Sequence, residues 1–104
     1  MIVTTTNAVE GRPVAQYLGV VCSQSVLGVN AFKDVAAGMR NVFGGRSKAY
    51  ENELGSGVAA VLEELEQQAA ALGSDAVLSV DIDYETVGQN MLMVSASGTA
   101  VRLA

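Results

Sequence analysis

The longest regular pattern in the chain is a stripe of apolar residues that recurs at steps of three and four between Ser47 and Leu72. This spacing places the apolar side chains on one face of an α-helix, so it predicts an amphipathic helix that covers a sheet. Gly55 and Gly57 lie inside the stripe without changing its phase, and we therefore expect an unbroken helix. Gly73 follows and suits the positive φ that ends many helices. The stripe consists of Tyr50, Leu54, Val58, Val61, Leu65, Ala69 and Leu72.

Alternation of apolar and polar residues predicts four β-strands, two before this helix and two after it. They cover Met1–Thr6, Tyr17–Val29, Ala76–Val87 and Met91–Leu103, and turn residues at 88–90 predict an antiparallel hairpin between the last two. The alternation assigns Leu18, Val20, Cys22 and Val26 to one face of the second strand, and Leu78, Val80, Ile82 and Tyr84 to the inward face of the third.

A second and shorter helical stripe occupies 30–43, and Asn30 is suited to its N-cap. The order of elements predicts an α+β fold in which one antiparallel sheet is covered by one long and one short helix. A chain of 104 residues forms one domain, 1–104. The uniformly small residues of Ser95–Thr99, together with Gly55 and Gly57, predict close packing within the subunit or across an interface.

Composition narrows the classes of partner. A net charge of −5 argues against nucleic acid and against anionic membranes, since a basic surface supplies most of the affinity for both. No apolar run approaches the roughly 20 residues of a membrane-spanning helix, and the N-terminus lacks the features of a signal peptide, so we expect a cytoplasmic protein. Half of the residues are apolar and the mean hydropathy is +0.33, which favours self-association of so small a domain.

Four stretches together resemble the YbjQ-like family, small bacterial proteins of unknown function that often carry a heavy-metal-binding label. They are YLGVVCSQSVLGVNAF, GGRSKAYENEL, EELEQQAAALGSDAVLSVDIDYETVGQN and MLMVSASGTAV, which cover nearly the whole chain in the family's order. The resemblance implies a dodecin-like α+β subunit that assembles into a homo-oligomeric ring, a pentamer or a multiple of one.

That resemblance makes Cys22 a candidate metal ligand. It is the single cysteine of a chain without histidine, so one subunit cannot assemble a Cys-rich or His-rich site for a soft metal ion. Symmetry could still bring copies of Cys22 around one axis. The alternative is a buried structural cysteine, because Cys22 shares its predicted face with Val20 and Val26.

Three carboxylates are the other candidate metal ligands. Asp81, Asp83 and Glu85 alternate along one outward strand face, with about 6.8 Å between successive positions. Oxygen ligands suit a divalent cation, although this spacing is too wide for neighbours on one straight strand to chelate a single ion. Equivalent strands that meet in a ring could complete such a site. The alternative is a solvated face whose charges discourage pairing at the sheet edge.

A candidate anion-binding site consists of Gly44, Gly45, Arg46 and Ser47. The glycines leave the backbone accessible, Arg46 offers a planar donor group, and the start of the long helix supplies unpaired N–H groups. These features suit a phosphate or a carboxylate. The spacing of a phosphate-binding loop is missing, however, and a turn between two helices explains the same residues.

Two functions of different class remain open. The first is a non-catalytic binding or scaffold protein that forms a homo-oligomer. Its ligand would be a metal ion, in particular a divalent metal ion, or a small anion. The second is an enzyme that uses carboxylates at a subunit boundary, since without histidine the chain lacks the ordinary base for a serine or cysteine nucleophile.

Overall fold

A computed structural model describes residues 1–27, 48–88 and 91–104 as one sheet with one helix packed on it. The predicted short helix over 30–43 lies outside the described residues. The long helix and the last two strands were predicted correctly, with bounds that agree to within a residue. The elements are β1 (Ile2–Val3), β2 (Val14–Leu27), α1 (Lys48–Ala71), β3 (Ala76–Val87) and β4 (Met91–Leu103), and the sheet order is β1-β3-β4-β2.

The sheet is mixed, so the prediction of a wholly antiparallel sheet was wrong. β2 and β3 both run antiparallel to β4, whereas β1 pairs with β3 in parallel through Ile2–Ala76 and Val3–Val77. The physical reason is the path of residues 4–13, which lead from one edge of the sheet to the opposite edge. β1 and β2 therefore enter the sheet in the same direction.

One face of the sheet packs against α1, and we call it the covered face. Val61, Leu65 and Ala69 are fully buried there, as the apolar stripe predicted. The helix ends as predicted at Gly73, whose φ is +80°, and the Ser74 N–H donates to the carbonyl of Ala69 at 3.1 Å. This is the hydrogen bond of a Schellman motif.

Glycines allow two close approaches on the covered face. A Cβ at Gly57 would lie 3.2 Å from Val94 Cγ2, and one at Gly98 would lie 2.6 Å from Val77 Cγ1. The predicted close packing therefore exists within the subunit. A Cβ at Gly55 would meet no described atom within 4 Å, so that glycine has no such role here.

A β-bulge at Ser79 changes the alternation along β3. Ser79 has φ of +53°, and the register with β4 shifts between Leu78 and Asp81. Val80 packs with the core under α1, whereas Leu78 packs on the opposite face. The prediction that both residues face inward was wrong because the bulge adds one residue to the period of two. Tyr84, also predicted inward, is 55% exposed.

The face opposite α1 has a second, smaller apolar cluster at one end. Residues of the N-terminal connection cover it, and a hydrogen bond from the Arg12 N–H to the Val9 carbonyl closes their turn at 3.1 Å. No described segment covers the rest of this face. The cluster consists of Ala76, Leu78, Val101 and Leu103, with Val9 and Val14 packed against it.

Candidate functional site

The uncovered part of the sheet carries the predicted metal ligands, and we call it the open face. It is formed by residues of β2, β3 and β4 that alternate with those of the covered face. Strand register arranges them in rows: Asp81–Ser97–Cys22, Asp83–Ser95–Gln24 and Glu85–Met93–Val26, with Thr99 and Val20 beside the first row.

Cys22 is exposed on this face, so the alternative of a buried structural cysteine is wrong for the single subunit. The covered face of β2 carries Val21 and Ser23 instead, and Ser23 is only 2% exposed. A polar residue is tolerated there because its hydroxyl donates to the carbonyl of Val61 at 2.6 Å. Val20, on the same side of the strand as Cys22, is 78% exposed.

The backbone of Cys22 is held by α1 even though its side chain is exposed. The Gln68 side chain donates to the Cys22 carbonyl at 2.7 Å and accepts from the Cys22 N–H at 3.3 Å. This pair of hydrogen bonds fixes the position of Cys22 at the outer edge of the sheet.

The three carboxylates are exposed, as predicted. A side-chain hydrogen bond to Asp81, together with the charge of Asp81, raises the pKa of Asp83 above its usual value. Partial loss of solvation and the charge of Glu85 raise this pKa further. A carboxyl group beside like charges is harder to ionise, so Asp83 keeps its proton to higher pH than an isolated aspartate does.

The candidate ligands share a face but do not form a metal centre in one copy. Asp81 and Cys22 both pair with Ser97 from opposite sides, which places them two strand spacings apart, about 10 Å. Metal–ligand bonds are only about 2.0–2.6 Å long. Among the described residues, no group of three or more Cys, Asp or Glu side chains could hold a metal ion.

The candidate anion site at Gly44, Gly45, Arg46 and Ser47 lies outside the described residues and stays a prediction. A shallow groove of about 580 Å³, which the sequence did not predict, lies beside the start of β3 and is lined by Met1, Ile2, Arg12, Ser74 and Asp75. The pairing of β1 with β3 brings Met1 and Ile2 to this groove, and no local sequence pattern encodes that pairing.

Polar atoms around this groove are already used by the fold. An Asp75 carboxylate oxygen accepts from the Leu103 N–H at 2.9 Å, and Arg12 Nε donates to the Ala104 carbonyl at 3.5 Å.

Within the described part of the chain, no helix is both long and apolar enough to cross a membrane.

The fold is that of a known class of small α+β domains. The chain is similar to a protein of unknown function from Pediococcus pentosaceus that belongs to the DUF74 family, with a TM-score of 0.72 and 20% sequence identity. The match covers 100% of this chain and 98% of that chain. At this identity the likeness shows the fold alone.

Sequence comparison defines the family. The YbjQ family model, described as "Putative heavy-metal-binding", matches residues 1–104, so the chain belongs to this family and the predicted membership is confirmed. A UPF0145 protein of Clostridium kluyveri is 57% identical over 103 residues, and one of Acetivibrio thermocellus is 52% identical over 103 residues. Each match covers 97% of both chains.

Proposed function

We propose that this chain is a non-catalytic binding protein that assembles with copies of itself into a ring in the cytoplasm, and that its open face binds metal ions. One observation carries the proposal: Cys22, Asp81, Asp83 and Glu85 all lie on the same uncovered face of the sheet. Cys22 is the single thiol of a chain that has no histidine, and the three carboxylates supply oxygen ligands on the same face.

Assembly is part of the proposal because one copy does not bring enough ligands together. Cys22 and Asp81 are two strand spacings apart, about 10 Å, which is too far for both side chains of one copy to bind the same ion. A symmetry axis close to the open face would bring the same side chain of several copies together. A pentamer or a multiple of one is the assembly that the family resemblance suggests.

The family description supports a metal ion as the ligand to test first. A thiolate at Cys22 suits zinc or copper, whereas the carboxylates suit harder divalent ions. A small anion at Gly44–Ser47 is the second ligand to test, and the support for it comes from the sequence alone.

Isothermal titration calorimetry with zinc chloride or copper sulfate tests the open face directly. We expect the double variant Asp81→Asn/Asp83→Asn and the single variant Cys22→Ser each to bind the metal at least tenfold more weakly than the wild type. The matched control is Glu63→Gln/Glu64→Gln, which removes the same two charges from the exposed side of α1 and should leave binding unchanged.

Equal binding by all four proteins would contradict the assignment of the open face. Loss of binding in the control as well would mean that net charge, and not a site, attracts the metal ion.

A carboxylate-using enzyme is the second candidate, and the Asp81–Asp83 pair is the observation that favours it. The raised pKa of Asp83 beside the carboxylate of Asp81 is a feature of acid–base pairs. Both side chains are exposed, however, and neither lines the groove near Arg12. An assembly structure in which the pair lies in a cleft between copies would favour the enzyme, whereas metal uptake with the pair open to solvent would favour binding.

A further inference from the structure

The sheet has two outer edges that no described segment pairs along their full length. β2 is the last strand on one side of the sheet order β1-β3-β4-β2. On the other side, β1 and the residues after it reach only as far as Val80, whose N–H donates to the Thr4 carbonyl at 3.0 Å. The outer edge of β3 from Asp81 to Val87 extends beyond that contact.

The second half of the β2 edge lacks the features that normally prevent a strand from pairing with another molecule. The 14 residues of Val14–Leu27 include no charged residue and no proline, and the irregularities in register with β4 lie before Val20. Val26 is 50% exposed near its end. Gln68 occupies the outer backbone groups of Cys22, and residues 23–27 lie beyond that contact.

The β3 edge has the opposite character. Its side chains Asp81, Asp83 and Glu85 would lie beside like charges if two β3 edges paired with each other, which is unfavourable. A neutral strand avoids that repulsion. The uncharged β2 edge of another copy therefore suits β3 better than a second β3 edge does.

An apolar groove adjoins the β3 edge on the covered face. Its volume is about 110 Å³ and most of its lining residues are aliphatic, so it suits an apolar side chain. A strand added along β3 beyond β1 would place alternate side chains over this groove. Its lining consists of Val3, Thr4, Thr5, Leu62, Val80 and Ile82.

We propose that the outer edge of β2 in one copy pairs with the outer edge of β3 in the next copy. The two surfaces differ, so each copy offers one of each and the contact is head to tail, which closes into a ring when the rotation between copies permits. This inference rests on the proposed self-assembly and adds the two surfaces that join the copies.

Proline substitutions on the outward-facing backbone positions test the pairing. The N–H of Cys22 faces outward, and so does that of Gln24 two residues later; the N–H of Val80 faces outward, and so do those of Tyr84 and Thr86. Gln24→Pro should block the β2 edge and Thr86→Pro the β3 edge, while each keeps its bonds to β4.

Native mass spectrometry of each variant alone, and of the two mixed in equal amounts, gives the decisive result. We expect each variant alone to be monomeric, because one of its two edges is blocked. The mixture should form a one-to-one dimer and nothing larger, because Gln24→Pro still offers β3 and Thr86→Pro still offers β2. Circular dichroism establishes that each variant is folded.

A second variant covers the case in which a proline prevents folding. Val26→Asp leaves the backbone unchanged at a half-exposed position, but it places a carboxylate beside the β3 acids of the next copy. It should dissociate the assembly, and the matched control Val26→Thr should not.

Three outcomes would overturn the edge pairing: an oligomeric wild type whose variants remain equally oligomeric, a mixture of variants that stays monomeric, or assembly that only the β2 variants disrupt. The first leaves the proposed self-assembly intact and rejects these surfaces alone. The last would indicate pairing of two β2 edges. A monomeric wild type would reject both the surfaces and the proposed assembly, and metal titration of that monomer would test the open face separately.

Discussion

The covered face and the open face belong to the same three strands but have opposite properties. Under α1, Val61, Leu65 and Ala69 are fully buried, and the packing is close enough to require glycine at Gly98. On the other side Val20 is 78% exposed, and polar and acidic side chains lie among a few apolar ones such as Val26. The covered face therefore supplies most of the stability of the fold, which leaves the open face free to bind ligands or other copies.

The largest expected effect comes from truncating the core of the covered face. Leu65→Ala should lower the free energy of unfolding by about 2–5 kcal/mol, because it leaves a cavity among fully buried side chains. The matched change on the open face, Val26→Ala, should cost less than about 0.5 kcal/mol. Urea denaturation of a fully dissociated sample measures both, and similar losses would contradict the contrast between the faces.

Adding one methyl group to the covered face should cost less, though still clearly. Gly98→Ala would force a Cβ to within 2.6 Å of Val77 Cγ1 and 3.2 Å of the Leu78 carbonyl oxygen. We expect a loss of about 1–3 kcal/mol in thermal or urea denaturation. Ser97→Ala, at the exposed neighbouring position, is the control, and an equally stable Gly98→Ala variant would show that the strands can separate without cost.

The buried hydroxyl of Ser23 should contribute about 1 kcal/mol. Ser23→Ala removes its hydrogen bond to the Val61 carbonyl, and that carbonyl can still accept within the helix. The control is again an exposed serine, Ser97→Ala, which should be close to neutral. If both serine variants unfold at the same urea concentration, the link between β2 and α1 does not stabilise the fold.

The smallest effect concerns the acidic side of the open face. The pKa of Asp83 is raised by Asp81, so the folded chain holds this proton more tightly than the unfolded chain does. Its contribution to stability is complete below the pKa of an unfolded aspartate and is lost as the pH rises through the raised pKa of Asp83.

The wild type should therefore lose a little stability as the pH rises through that range, and the Asp83→Asn variant should not show this loss. Melting temperatures at low ionic strength measure it, because salt screens exposed charges. Glu63→Gln on α1 serves as the control. If the melting temperature of the Asp83→Asn variant falls with pH as much as that of the wild type, other groups cause the decrease.

The sequence predicts the parts of this fold that local patterns encode. The central part of the α1 stripe, the positive φ of Gly73 and the bounds of β3 and β4 depend on neighbours in the chain, and each agrees with the structure. Leu72, the last residue of the predicted stripe, is 46% exposed, because it lies beyond the end of the helix. The acidic residues of β3 were also placed correctly on an exposed face.

The remaining features depend on contacts between distant residues or on local irregularity. The parallel pairing of Ile2 with Ala76 joins the beginning of the chain to β3, and the bulge at Ser79 adds a residue that alternation does not predict. Both sides of β2 contain apolar residues, so its pattern did not reveal that Ser23 faces α1 and Cys22 faces outward. The shared face of Cys22 and Asp81 follows from the strand order, which no local pattern shows.

Native mass spectrometry of the wild type, after incubation with zinc, copper or nickel and separately with phosphate, tests ring assembly and metal binding in one experiment. We expect a ring of 10.7 kDa subunits, a pentamer or a multiple of one, that carries a fixed number of metal ions and loses them in the Asp81→Asn/Asp83→Asn variant. A monomer, or a ring that carries no ion at any metal concentration, would contradict it.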